Sequence, residues 1–138
     1  LAGKNANYNN KELTATIEAE KVNEKVMLLD EIYNVDDYLQ HVDLLVNCSI
    51  SSEGFPNIIG EAIMNNCLCI ASNISDNKKI LLNDNLIMNK VDKNIISKKI
   101  LEIYQMPYST IKELKFKLKN NFIENYSIVK ISKMYDNI

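Results

Sequence analysis

The sequence predicts an α/β fold, a doubly wound parallel sheet with helices on both faces. Three observations predict it. Short apolar runs bounded by charge recur along the chain and read as buried strands. Amphipathic stretches at helical spacing lie between them. The composition, 46% hydrophobic and 25% charged over 138 residues, is that of an ordinary globular domain. Strands alternating with helices in this way require right-handed crossovers and a parallel sheet covered from both sides. One domain over residues 1–138 is expected, long enough to bury a core. Only 3 Gly and 2 Pro exclude a collagen, a Pro-rich linker and a turn-dense small barrel.

The elements follow in order. Leu1-Ala2-Gly3 reads as the end of a strand, and Asn5 to Asn10 as a polar turn. Lys11 to Glu20 places Leu13 and Ile17 four apart, which predicts a helix. Lys25 to Asp30 is a compact apolar run and predicts a buried strand. Val35 to Val42 puts Val35, Tyr38, Leu39 and Val42 on one helical face. Asp43 to Cys48 is a second buried strand, followed by a loop from Ser49 to Pro56. Asn57 to Asn66 is helical, with Ile58, Ile59, Ala62 and Ile63 inward. Cys67 to Ala71 is a strand, Lys78 to Leu82 a short helix, and Leu86-Ile87-Met88 a further strand. Asn94 to Tyr104 is helical and stops before Pro107. Thr110 and Glu113 form a capping-box pattern that opens another helix through about Phe122. Asn125 to Tyr135 reads as a last helix. The order is that of a Rossmann-like domain, in which ligands bind at the carboxyl ends of strands.

Charge and cysteine content remove several functions. Sixteen basic against 18 acidic residues leave a net charge of −2, too low for a protein held to nucleic acid by phosphate contacts. Every basic residue is Lys, so no guanidinium clamp is possible. The three cysteines, Cys48, Cys67 and Cys69, lack C-x-x-C spacing, which argues against a disulfide framework or a zinc ribbon and for a reducing compartment. Cys67 and Cys69 alternate along an apolar run and read as buried filler. No apolar run approaches the roughly 20 residues that span a bilayer. His41 and the loop serines Ser49, Ser51 and Ser52 form no relay with a carboxylate and read as ordinary polar residues. Lys78, Lys79 and the lysines at 112, 115, 117 and 119 read as solvated surface, the last four spread around their helix.

The chemistry concentrates after the strand that ends near Cys48. The loop places Gly54, where backbone can approach a ligand, just before a helix N-terminus. That terminus exposes unpaired N–H groups and a partial positive charge, a ready anion site. Pro56 near the first turn costs nothing, since its missing N–H is unpaired there anyway. Glu53 precedes the helix, and Glu61 lies about one turn in, roughly 6 Å along the axis. A carboxylate there can accept two hydrogen bonds from a vicinal diol, as in a sugar or ribose. No His or Asp stands beside the pair at metal-ligand spacing.

The run Glu53-Gly54-Phe55-Pro56-Asn57-Ile58-Ile59-Gly60-Glu61-Ala62 resembles the E-x(7)-E motif of family 4 retaining glycosyltransferases, which have the GT-B fold. The strand Val42 to Val46 before it and Ile70 to Asn77 after it resemble the same family. The resemblance covers nearly the whole chain. It implies that residues 1–138 are the nucleotide-sugar donor-binding domain, the C-terminal half of a GT-B fold. It implies that Glu61 binds the nucleotide ribose and that Glu53, near the donor sugar, is the catalytic-site carboxylate. Gly54, Phe55, Pro56 and Asn57 would complete the donor site. The base would lie near Glu31 to Val35. No metal and no cofactor are implied.

The implied partners are a nucleotide-sugar, with UDP-sugar the commonest class, and a glycan or lipid-linked acceptor. That acceptor would bind an N-terminal domain that this chain lacks. The implied reaction transfers a hexose or N-acetylhexosamine in bacterial surface-polysaccharide synthesis, O-antigen or capsule. It would take place in the cytoplasm or at the cytoplasmic face of the inner membrane, with peripheral membrane contact through the Lys112 to Lys119 segment. The family's Arg and Lys for the diphosphate, on an earlier strand, have no counterpart here, so an inactive C-terminal fragment with an open sheet position is expected. Three positions inside the chain depart: Asp30 and Asn66 stand where the family usually has Gly, and Leu68 where it usually has Pro. Asn tolerates the left-handed conformation and can still end the motif helix. The alternatives are a nucleotide-sugar epimerase or sugar phosphorylase on the same architecture, and a non-catalytic α/β binding module.

Overall fold

A computed structural model describes residues 1–51 and 55–127. Its backbone divides into two compact units, residues 1–35 and residue 36 onward.

The first unit holds helix α1 (Lys11–Ala19) and a single 3₁₀ turn at Asn23–Lys25. Asn10 caps α1, its side chain accepting from the Leu13 N–H at 3.2 Å. The two segments expected as strands here are not regular strands. They are nonetheless hydrogen-bonded side by side: the Leu29 N–H donates to the Leu1 carbonyl (2.9 Å) and the Gly3 N–H to the Asp30 carbonyl (2.7 Å). Lys25 is drawn into the 3₁₀ turn, and Met27 is exposed, so the apolar run is buried at Leu28 but not throughout. Asp30 adopts a left-handed φ of 53°, a conformation that Gly takes freely and that Asp tolerates. Its carboxylate accepts from Asn7 Nδ2 at 2.8 Å and holds the turn.

The second unit is a Rossmann-like layer structure. Helix α2 (Val35–Leu39) leads into strand β1 (Leu44–Asn47). Then come α3 (Asn57–Met64), β2 (Leu68–Ser72), α4 (Asn77–Leu81) and β3 (Ile87–Met88). Two longer helices follow, α5 (Lys93–Tyr104) and α6 (Tyr108–Tyr126). The strands form a parallel sheet in the order β1-β2-β3, with Leu45 opposite Cys69 and Ala71 opposite Ile87. All five residues of β2 are buried, as a central strand covered on both faces requires. Helix α3 packs on β1 and β2, α4 on β2 and β3, and α6 lies across both helices.

Several local features differ from the expectation, each for a physical reason. The capping box is unused. Helix α6 starts earlier, at Tyr108, because the Pro107 carbonyl accepts from the Thr110 and Ile111 N–H groups. Glu113 pairs instead with Lys117 at 2.7 Å. No break separates α6 from the expected last helix up to Tyr126, and the remainder of that helix lies outside the described residues. In α2 only Leu39 is buried, and Tyr38 is exposed. In α5 Leu101 and Tyr104 face solvent, because the helix buries a stripe narrower than its apolar content.

Asn66 does end α3 in the left-handed region, with φ 57°. The Cys67 N–H donates to the Ala62 carbonyl (2.8 Å) and the Asn66 N–H to the Ile63 carbonyl (3.1 Å), a complete Schellman motif. Cys67 and Cys69 are buried free thiols, and burial pushes both up from their ordinary values, so neither is a nucleophile.

The contact between α3 and α6 depends on Gly60. A Cβ at Gly60 would stand 2.9 Å from Cε2 of Phe122, with Cζ closer still and Cε1 at 3.3 Å. Helix propensity alone favours Ala over Gly by about 1 kcal/mol, but overpacking a filled site costs about 1–3 kcal/mol. Gly60→Ala is therefore expected to lower stability by about 1 kcal/mol in urea denaturation, a net of those two opposing effects. In a Phe122→Leu background the same change should become neutral or stabilising. Equal losses in both backgrounds would remove the ring from the explanation.

Candidate functional site

Helix α3 divides the expected site residues between its two faces. Ile59, Gly60, Ala62 and Ile63 are buried against the sheet and α6. Asn57 and Glu61 are exposed and four residues apart, so they lie one above the other on the free face. The Glu61 carboxylate has no hydrogen bond or ion pair among the described residues, which leaves both oxygens available. Its backbone is engaged: the Glu61 carbonyl accepts from the Asn65 N–H and from Asn65 Nδ2, both at 3.0 Å. Asn65 Nδ2 also donates to Asp36 Oδ1 at 2.5 Å, tying the start of α2 to the end of α3.

The N-terminus of α3 carries no acidic residue in its first turn and no side-chain cap among the described residues. Pro56 occupies the cap and is buried. The Asn57 N–H folds back to the Phe55 carbonyl at 3.0 Å. The Phe55 ring turns away from the free face of α3 and joins an aromatic cluster on α6. Its centroid lies 6.2 Å from that of Phe122 and 5.4 Å from that of Tyr126, and the latter two stack at 5.5 Å. The side chain of Phe55 is thus partly occupied by this cluster and remains partly exposed. Glu53 and Gly54 lie outside the described residues. Gly60, the neighbour of Glu61, leaves its space on the other face of the helix, where Phe122 fills it.

A second feature was not legible as a site in the sequence. The carboxyl ends of the three strands enclose a cleft of about 300 Å³ bordered by Ser49, Ser72, Asn73, Asn89 and Lys90, with Met88 at its base. The position is the one where parallel α/β sheets bind ligands, and polar residues directly after each apolar run were the available signal. The walls are fixed by hydrogen bonds. Ser72 Oγ donates to the Ser49 carbonyl at 2.6 Å, joining the ends of β1 and β2. Asn73 Nδ2 donates to Asn89 Oδ1 at 3.0 Å, joining the ends of β2 and β3.

Asn77, only 1% exposed, donates from Nδ2 to the Ser72 carbonyl at 2.8 Å. Its Oδ1 has no hydrogen-bond partner among the described residues. The two lysines of α4 are already neutralised, Lys78 by Asp84 at 2.9 Å and Lys79 by Asp76 at 2.7 Å.

The lysines of α6 are not spread evenly around the helix. Lys117 pairs with Glu113, whereas Lys112, Lys115 and Lys119 border one groove of about 350 Å³ together with Tyr108 and Phe116. Lys119 Nζ also donates to the Met64 carbonyl at 2.9 Å. His41 is exposed, and its Nδ1–H donates to the Asp37 carbonyl at 3.0 Å. Among the described residues there is no metal-binding cluster of His, Cys, Asp or Glu, and no helix is long and apolar enough to cross a membrane.

The family model described as "Glycosyl transferases group 1" matches residues 1–106, which takes in the first unit, the three strands and both candidate regions. No curated protein matches the chain.

The buried amide of Asn77 yields a pH-dependent expectation. Asn77→Asp replaces the donor facing the Ser72 carbonyl with an acceptor in a buried position. Near neutral pH this should cost about 2 kcal/mol or more. Burial raises the folded-state pKa of the new carboxyl above its unfolded value. The unfolded state therefore ionises first, and the loss grows as pH rises through that interval. In acid the neutral carboxyl can donate again, and most of the loss should vanish. Urea denaturation at pH 4 and pH 7 checks this, and a loss independent of pH would point to altered packing instead.

Proposed function

The chain belongs to the Glycosyl transferases group 1 family, and from that premise we propose that it is the donor-binding domain of a retaining glycosyltransferase of family 4. The reading rests on one observation above the others: the Glu61 carboxylate on the free face of α3, with no hydrogen bond or ion pair among the described residues and aligned with Asn57 at the helix start. Both Glu61 oxygens accept hydrogen bonds from the vicinal hydroxyls of the donor's ribose. The uncapped N-terminus of α3 offsets the charge of the diphosphate, which grows on the leaving group as the glycosidic bond breaks. The loop backbone at Gly54, Phe55 and Pro56 approaches the sugar, and Glu53 holds the sugar hydroxyls for transfer. No metal and no cofactor take part.

The donor is a UDP-sugar carrying a hexose or N-acetylhexosamine. The acceptor is a glycan or lipid-linked glycan bound by an N-terminal domain outside this sequence. The setting is bacterial surface-polysaccharide synthesis, O-antigen or capsule, in the cytoplasm or at the cytoplasmic face of the inner membrane. Peripheral contact with that membrane uses α6, where Lys112, Lys115 and Lys119 flank the exposed rings of Tyr108 and Phe116. Lysines beside interfacial aromatics suit an anionic headgroup layer.

Two measurements test this reading. Ligand-observed NMR should detect UDP binding to this chain, weakened about tenfold or more in Glu61→Gln, the loss of roughly one charge-assisted hydrogen bond. UDP binding unchanged in Glu61→Gln would remove Glu61 from the site. In flotation with vesicles, the chain should rise with phosphatidylglycerol and not with phosphatidylcholine. Replacing Lys112, Lys115 and Lys119 by Gln should abolish flotation. Equal recovery with both lipids would leave α6 without a charge-based membrane role.

A further inference from the structure

Helix α6 runs back along α3 in the opposite direction, and three contacts mark its path. Lys119 Nζ donates to the Met64 carbonyl at the end of α3. The Phe122 ring fills the space at Gly60, and the Tyr126 ring meets Phe55 just before α3 begins. From Lys119 to Tyr126 the helix rises about 10 Å, the same rise as from Met64 back to Asn57. Tyr126 therefore arrives level with the first turn of α3, the end at which the donor's sugar is placed above.

The two ring contacts act on different parts of α3. Phe122 packs at Gly60, inside the helix, and seats the helix itself. Tyr126 packs on Phe55, with ring centroids 5.4 Å apart and an interplanar angle of 43°. It is the nearer of the two rings that Phe55 meets, since Phe122 stands at 6.2 Å. Phe55 remains 42% exposed, so loss of the Tyr126 ring would remove the closer of its two aromatic neighbours among the described residues. The backbone that follows is stiff. Pro56 is buried with φ −79°, held near that value by its ring, and the Phe55 carbonyl accepts from the Asn57 N–H at 3.0 Å. Where the Phe55 ring sits thus decides where the Phe55 backbone sits relative to α3.

We infer that Tyr126 is a positioning residue for the donor's sugar: by holding the Phe55 ring it fixes the Phe55 backbone at the start of α3. The inference rests on the donor-site reading above, which brings that backbone to the sugar. It divides the site into two parts with separate supports. The ribose contact of Glu61 belongs to the helix, whose seat depends on Phe122. The sugar contact lies before Pro56 and depends on Tyr126.

Calorimetric titration of the chain with UDP, UDP-glucose and UDP-N-acetylglucosamine tests the division, together with amide hydrogen exchange of the free chain. Tyr126→Ala should weaken the tighter-binding UDP-sugar about fivefold, the scale of one aromatic contact, and leave UDP within about twofold. Tyr126→Phe keeps the ring and should bind as the parent does. So should Tyr104→Ala, which removes an exposed ring from α5. If Tyr126→Ala does not fold, Tyr126→Leu carries the same comparison. In exchange, the variant should speed the Asn57 amide, whose partner is the Phe55 carbonyl. The Cys67 amide, bonded to the Ala62 carbonyl at the other end of α3, should keep its rate. The assignment is overturned if the ratio of UDP-sugar to UDP affinity does not change, if Tyr126→Phe loses as much as Tyr126→Ala, or if the Asn57 and Cys67 amides quicken together. Failure of the donor reading looks different: the parent chain then binds none of the three ligands, and with no sugar to position the assignment falls with it.

Discussion

The packing of the Phe122 ring onto Gly60 sets how closely α6 approaches α3, and the rest of the second unit is organised around that approach. With α6 seated, its other contacts fall into place. Asn121 Nδ2 reaches the Ile80 carbonyl of α4 at 3.4 Å, and Lys119 Nζ reaches the Met64 carbonyl at the end of α3. One helix thus bridges the two crossover helices that pack on the sheet. The same ring cluster takes in Phe55, so the residue just before Pro56 packs on the helix that lies behind α3. Because α3 is pinned on its buried face, its free face presents Asn57 and Glu61 in a constant relation. Site geometry and core packing are here two sides of one helix.

A chain with 3 glycines must find its left-handed turns elsewhere. Asn5, Asp30 and Asn66 supply three of them, as residues whose short polar side chains tolerate that conformation. Lys21, Ser75 and Leu82 also adopt positive φ, at a cost of about 1–2 kcal/mol each for side chains less suited to it. Leu82 shows why such a position survives. It follows α4 directly, is exposed, and its N–H still donates to the Lys78 carbonyl at 3.2 Å. The turn that frees β3 to pair with β2 is set there by the backbone rather than by a glycine.

What the sequence disclosed follows the strength of its local signals. The strands were legible because Leu44–Asn47 and Leu68–Ser72 lie in compact apolar runs, although only Leu68–Ser72, the middle strand, is fully buried, whereas Leu44–Asn47, paired on one side only, is half-buried rather than buried. The end of α3 was legible at Asn66, because a left-handed Asn after a helix has a local cause. The first unit was less legible, since an apolar run such as the one around Leu28 does not reveal whether it forms a regular ladder. Helix α6 starts before the capping-box pattern because the Pro107 carbonyl accepts from the Thr110 and Ile111 N–H groups, which places Thr110 inside the helix rather than at its cap. For the site, the motif located Glu61 and Asn57 on a helix but could not say which way Phe55 turned. Its partners, Phe122 and Tyr126, lie far along the chain and carry no pattern linking them to it.

Lys90 and Asn77 belong to the same class of hidden residue. Each is an ordinary polar side chain in sequence, and only the parallel pairing of β1, β2 and β3 gives them a common address. That pairing brings together Ser49, Ser72 and Asn89, which follow or end three separate strands. A buried amide whose oxygen has no partner among the described residues is costly, and it persists beneath this cleft where Asn77 Nδ2 holds the turn after β2. Replacing the amide with an apolar group would remove the unpaired atom and also release the Ser72 carbonyl, already bonded to the Ile74 N–H, from its second partner. The retained cost is thus tied to the position of the strand end, the point at which the sheet stops being a core and becomes a surface that can hold a ligand.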